Sequence, residues 1–136
     1  MVEASVARQL LDAARRDEQA FRALVALPEM NDAAIGFHAH QSIEKAIKAV
    51  LAQAGIAFRR THDLGELLDL LSDAGHAQPP EAERLDELNP YAVEARYGLV
   101  GPGALDRAAA MRMVILILAW AQGLLPDPPP ARVAAD

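Results

Sequence analysis

The chain has 136 residues, of which 52% are apolar and only 4% aromatic, contains no cysteine, and carries a formal net charge of −6 at pH 7. Its length fits one domain with a sizeable core, the missing cysteines exclude disulfides and thiolate chemistry, and the acidic balance opposes wholesale binding to nucleic acid, so any anion site must be local. The amino terminus has mixed charges and no apolar signal-type core, and the longest greasy run, Met113 to Ala121, is about half of what a bilayer requires; a cytoplasmic protein without a membrane partner is expected.

The first predicted helix runs from Ala4 to about Ala26, where Val6, Leu10, Ala13 or Ala14, Ala20 or Phe21, and Leu24 keep a helical period and Arg15, Arg16, Asp17 and Glu18 cluster outside. Pro28 stops it, and Asn31 or Asp32 is placed to cap a second helix reaching Ala54. The rest of the chain is organised around this second helix. Ile35, Ala39, Ile43, Ala46 or Ile47, and Val50 form an apolar stripe, and His38, Gln41, Lys45 and Lys48 form another on a different face. Gly55 ends it. A connector bearing Arg59 and Arg60 leads to Asp63, which can cap a short third helix through Leu64, Leu67, Leu68 and Leu71, with Glu66 completing a capping box and Gly75 closing the helix.

Pro79 and Pro80 mark a loop. A fourth helix follows from Glu81 through Leu85, Leu88, Ala92 and Ala95, kinked or restarted where Asn89 caps and Pro90 takes the first turn. Gly98, Gly101, Pro102 and Gly103 form a further loop before the last helix, Ala104 to Leu125. There Met111, Val114, Ile115, Leu118 and Trp120 leave little polar surface, which predicts the most buried helix or a subunit interface, and with the latter a homodimer. No strand alternation occurs. The fold class is therefore all-α, an up-and-down bundle of about five helices forming one domain over residues 1–125, with a disordered proline-rich tail over 126–136.

Most site chemistries are unsupported. His38 and His40 are two apart on a helix and point about 200° from each other, leaving His40 and Glu44 as the only pair spaced to share an ion, so neither metal nor cofactor is expected. The few serines lack an elbow signature, and no glycine-rich turn follows a strand. The remaining candidates each have two readings. The stripe of His38, Gln41, Lys45 and Lys48 offers donors and positive charge to an anion, or is a solvated face in which Glu44 pairs with Lys48. Arg59 and Arg60 are an anion contact or a charged turn, and His62 transfers protons or orders a helix start. Arg96 and Tyr97 end a helix and enter a glycine-rich loop, a setting that exposes side chains in a cleft, or Arg96 offsets the negative end of that helix.

Read together, the segments FHAHQSIEKAIKAVL, GIAFRRTHDL and NPYAVEARY, in this order, resemble the HEPN domain, the helical family named for nucleotide binding in higher eukaryotes and prokaryotes, over roughly Leu10 to Leu125. The resemblance implies a bundle of about four to five helices, commonly dimeric. It also implies a small prokaryotic protein paired with a nucleotidyltransferase-type partner as toxin and antitoxin, with metal-independent RNase activity in the active members. The nuclease motif of those members is an arginine followed after about four to six residues by histidine, completed across the dimer. Here Arg96 matches the arginine, but Tyr97, Gly98, Leu99, Val100, Gly101, Pro102 and Gly103 follow it without a histidine. A modifiable tyrosine shortly after that histidine is likewise not reproduced, although Tyr97 is close.

Three functional readings result. In the first, a homodimer binds a nucleotide or RNA phosphate and acts with a nucleotidyltransferase-type protein; Arg96 holds phosphate, Tyr97 stacks or hydrogen-bonds, His38 is a further binding residue, and Lys45, Lys48, Arg59 and Arg60 supply local positive potential. In the second, a ribonuclease toxin with a rearranged site uses Arg96 on the phosphorane and His38 or His62 for protons. In the third, every motif is structural and the protein is a helical scaffold.

Overall fold

The structure, a computed structural model, describes residues 2–92 and 103–127. Among these residues lie four α-helices, α1 (Val2–Val25), α2 (Asp32–Gln53), α3 (Leu64–Asp73) and α4 (Arg107–Leu124), with a 3-10 segment over Ala82–Tyr91 between α3 and α4. No strand occurs among the described residues. The all-α bundle is thus observed. The tail expected over 126–136 lies, from residue 128 on, outside the described residues.

Helix α1 buries Ala7, Leu11, Ala14 and Phe21, a single face at three- and four-residue spacing. Asn31 caps α2, its side-chain oxygen accepting from the Ala34 N–H at 2.8 Å. Within α2 the consecutive residues Ser42, Ile43 and Glu44 are all buried, as are Ala49 through Ala52. Successive helical residues turn by about 100°, so such runs require cover on more than one side. Helix α2 is accordingly the central element, lying against α1, α3, the 3-10 segment and α4.

This corrects the expectation that the last helix is the most buried. Asp106 caps α4 by accepting from the Ala109 N–H at 2.9 Å, so the helix starts at Arg107 rather than Ala104. Its inner face, Ala109, Ala110, Met113, Val114, Ile117, Leu118 and Ala121, is buried, whereas Ile115 remains 40% exposed and Leu124 53%. By length and apolar composition α4 passes for a membrane span, a test that core helices of globular proteins also pass.

The two helix-ending glycines behave as the sequence implies. Gly55 (φ +72°) and Gly75 (φ +83°) adopt the left-handed conformation. Each closes a double hydrogen-bonded cap, Gly55 N–H to Ala52 O with Ile56 N–H to Leu51 O, and Gly75 N–H to Ser72 O with His76 N–H to Leu71 O.

Two expectations change where the fourth helix was placed. The described part, to Ala92, is a 3-10 segment rather than an α-helix. Leu85, Leu88 and Tyr91 recur every third residue and are all buried, which matches three residues per turn and aligns them on one face. Pro90, lacking an N–H, sits near the end of that segment. Asn89 does not cap its own helix. Its side-chain oxygen accepts from the Leu64 N–H at 3.0 Å and its amide donates to Asp63 Oδ1 at 3.2 Å, so it ties the 3-10 segment to the start of α3.

Candidate functional site

The polar groups gather along one side of α2 and on the loop that follows it. Asp63 caps α3, accepting from Gly65 N–H (2.9 Å) and Glu66 N–H (3.4 Å). The second half of the expected capping box is absent. The Asp63 N–H donates to Thr61 Oγ1 at 3.1 Å, and Glu66 turns outward to take a two-pronged hydrogen bond from Arg59 at 2.7 and 2.6 Å. With its first N–H groups taken by Asp63 and Asn89, the start of α3 offers little to an anion.

Directly before that cap lies His62, and beneath it the carboxylate of Glu44. Glu44 is buried in the middle of α2, yet its two oxygens meet three partners. Oε1 accepts from His62 Nδ1 at 2.7 Å and lies 3.7 Å from His40 Nδ1, while Oε2 accepts from Lys48 Nζ at 3.0 Å. The Lys48 ammonium also stands 5.7 Å from the centre of the Phe58 ring. His40 is fully buried, and its Nε2 lies 2.8 Å from the His62 carbonyl oxygen. A carbonyl can only accept, so Nε2 of His40 carries the proton.

The same logic applies to His62. An ionised carboxylate only accepts, so Nδ1 of His62 carries the proton and, in the neutral ring, Nε2 presents a lone pair. The His62 side chain is 58% exposed. The site therefore holds an imidazole whose inner nitrogen is fixed by a buried carboxylate and whose outer nitrogen is open to solvent, an arrangement able to take or give a proton.

A second carboxylate plays a parallel part between α1 and α2. Asp17 receives His38 Nδ1 on Oδ1 at 3.1 Å and Lys45 Nζ on Oδ2 at 2.6 Å. The stripe of His38, Gln41, Lys45 and Lys48 is thus no free cationic face. Lys45 and His38 are held by Asp17, Lys48 by Glu44, and Gln41 by the His40 ring at 3.5 Å. Arg59 is held by Glu66. Of the cations proposed from sequence, Arg60 alone is exposed with no partner among the described residues. Arg96 and Tyr97 lie outside the described residues.

Burial holds the His40 imidazole below its ordinary pKa of 6.5, against the opposing pull of the Glu44 charge and the hydrogen bonds to the His62 carbonyl and Asn89. The sign follows directly. Where the unfolded chain binds a proton at this histidine that the folded one refuses, stability rises with pH, so the contribution is complete above pH 6.5 and is lost as pH falls below it. Denaturant unfolding of the protein at pH 7.5 and 5.5 should show a greater loss on acidification than the same pair of measurements on His40→Gln; equal losses would contradict the assignment.

The roles of Glu44 and Asp17 are not fully legible from the chain. Glu44–Lys48 at four-residue spacing is visible as a helical pair, and His40–Glu44 as a spaced pair. Nothing in the sequence announces that His62 is carried onto Glu44 by the loop, or that Asp17 from another helix collects His38 and Lys45. Among the described residues no group of three histidines, aspartates or glutamates is placed to hold a metal ion.

Comparison with known proteins agrees with this architecture. A solved structure, that of TT1696 from Thermus thermophilus, is similar to the chain at 27% sequence identity and a TM-score of 0.69, covering 88% of this chain and 98% of the other. No curated protein matches the sequence. The sequence model of the HEPN domain matches residues 7–124, from within α1 to the last residue of α4. On that match, which spans most of the chain and takes in the loop carrying His62, the chain belongs to the HEPN-domain family.

Proposed function

We propose that this HEPN protein is a homodimer that binds a nucleotide or RNA phosphate and acts with a nucleotidyltransferase-type protein as one half of a toxin–antitoxin-like pair. The observation that carries the binding part is the pairing of the cations. Lys45, Lys48 and Arg59 are neutralised by Asp17, Glu44 and Glu66, which leaves Arg60, two residues before the exposed His62, as the cation able to meet a phosphate. Arg96, which matches the arginine of the family motif, and its neighbour Tyr97 remain candidates for the phosphate from sequence alone, since both lie outside the described residues. The anion contact is thereby moved from the lysine stripe to the end of the loop before α3.

A second reading is favoured by a specific geometry. The Glu44–His62 pair supplies the proton-transfer group that is missing after Arg96, so a metal-independent ribonuclease with a rearranged site would use His62 on the 2′-hydroxyl, Glu44 to orient it and Arg96 on the phosphorane.

One experiment separates the two. The purified protein is mixed with a labelled mixed-sequence RNA in EDTA, and both retention and cleavage are followed for the wild type and for Arg60→Ala, His62→Ala and Arg96→Ala. The binding reading expects retention without cleavage, weakened about tenfold by Arg60→Ala, the scale of one lost charge-assisted contact. The ribonuclease reading expects cleavage that falls by about 10²–10⁴ in His62→Ala, the usual span of a general acid or base. Neither retention nor cleavage by the wild type would remove both and leave the scaffold. Copurification with a nucleotidyltransferase-type protein tests the partner.

A further inference from the structure

The Glu44–His62 pair reaches solvent beside a cation that no carboxylate neutralises among the described residues. Arg60 is exposed, and being two residues away its Cα lies within about 7 Å of that of His62. Two contacts fix how the imidazole presents itself. Glu44 Oε1 accepts from His62 Nδ1 at 2.7 Å, and His40 Nε2 donates to the His62 carbonyl at 2.8 Å, so ring and backbone are both held. Nδ1 is therefore occupied whether the ring is neutral or charged, and a second proton enters at Nε2, the outer nitrogen.

For an anion this reverses the sign of the contact. A neutral His62 turns a lone pair outward, which a phosphate oxygen avoids, whereas a protonated one turns out an N–H and a positive charge. The surroundings decide which histidine takes that proton. His40 and His62 face the same Glu44 oxygen, at 3.7 and 2.7 Å, and charge on one disfavours charge on the other. His40 is fully buried, and burial disfavours its charged form, whereas His62 is open to water. The other charges near His62 are engaged. Lys48 is bonded to Glu44 Oε2 and Arg59 to Glu66, while Asp63 accepts from the first N–H groups of α3 and from Asn89 of the 3-10 segment. With Glu44 and Lys48 cancelling, protonation of His62 adds one uncompensated charge next to Arg60.

We propose that Arg60 and the protonated His62 form a subsite for a phosphodiester of single-stranded RNA, whose binding strengthens as pH falls because His62 must carry its second proton to donate. The inference rests on the binding reading above and names its regulation. Imidazole is the side chain that changes charge between pH 5 and 8, so the response falls near neutrality. By linkage, bound phosphodiester in turn favours the protonated ring.

The probe is a labelled 2′-O-methyl oligouridylate, whose phosphodiesters and bases keep their charge across this range and whose blocked hydroxyl precludes cleavage. Retention by the full chain is measured at pH 8.0 and 6.0 over a range of salt, with circular dichroism confirming the fold at each pH. The variants are His62→Asn and, as a control in an exposed loop, His76→Asn. The expected result is retention about tenfold tighter at pH 6.0, the scale of one added charge-assisted contact. The salt slope should also steepen by about 0.7, the increment for one more phosphate neutralised on a single strand. His76→Asn should keep both changes and His62→Asn lose both. No retention at either pH overturns the binding reading and this inference together. Retention that is equal at the two pH values, or whose gain survives in His62→Asn, overturns the inference alone. Should His62→Asn fail to fold, NMR of the His62 ring protons in the wild type at pH 6.0 decides: they are expected to shift on adding the probe, and unmoved resonances overturn the subsite.

Discussion

Replacing Glu44 by alanine is expected to cost about 3 kcal/mol of stability, roughly 10 °C in Tm for a chain of this size. The carboxylate is buried and accepts from His62 Nδ1 and Lys48 Nζ, both within 3.0 Å, with the fully buried His40 ring nearby. Its removal strands the Lys48 ammonium, whose side chain is only 13% exposed, beside apolar neighbours, and an uncompensated charge costs more than the lost pair contributed. Glu44→Gln should be milder, because a carboxamide oxygen can still accept from His62 while the charge facing Lys48 is gone. Restoring part of the loss with Lys48→Met in the Glu44→Ala background would locate the cost in the stranded ammonium. Denaturant unfolding reads all three, and a Glu44→Ala loss below about 1 kcal/mol would show that the cluster is surface-like in its energetics.

Gly36→Ala should destabilise by about 2 kcal/mol, although alanine normally improves a helix by about 1 kcal/mol over glycine. A Cβ at this position would stand 2.2 Å from Tyr91 Cδ1 and 2.4 Å from its Cγ. These are the atoms of the ring nearest its own backbone, so the ring cannot swing clear, and Tyr91 is only 3% exposed. The discriminating measurement is a double-mutant cycle. Tyr91→Ala alone loses the packing of a large side chain, about 3 kcal/mol or more, but in that background the Gly36→Ala change should become neutral or stabilising as the helical preference reasserts itself. A stabilising Gly36→Ala in the otherwise native chain would refute the close approach. Burial raises the Tyr91 hydroxyl above its ordinary pKa, and the Asp32 charge adds to the shift.

The two predictions draw on different kinds of legibility. Apolar residues at three- and four-residue spacing placed α1, α2, α3 and α4 within a few residues, because the burial of one helical face leaves a periodic trace that needs no partner to be read. The glycines after α2 and α3 were likewise readable, since few residues other than glycine take a positive φ without strain. Gly36 was not. Inside a helical pattern it is only a weak helix former, and its reason is the ring of a residue far along the chain.

The site divides in the same way. His38, Lys45, Lys48, Arg59, Arg60 and His62 were visible as polar residues in the right register, but their charge state as a group was not. Glu44 opposite Lys48 could be read one turn back in the same helix, but whether Lys45 faces a phosphate or a carboxylate is set by what another element places opposite it, here Asp17 from α1. The Glu44–His62 contact spans 18 residues and depends on the course of the loop, which no local spacing encodes.

The sequence by itself determined the all-α class, the central role of the Asp32–Gln53 helix, a cap at Asn31 or Asp32 and one at Asp63, and the family, because these follow from local periodicity, local hydrogen bonding and ordered motifs. Only the tertiary structure decided that Lys45 is neutralised by Asp17, that His62 rests on a buried carboxylate and that the Tyr91 ring closes on Gly36. Each of these is a relation between elements distant in the chain, and burial and charge compensation take their sign from what stands across the gap rather than from the residue alone.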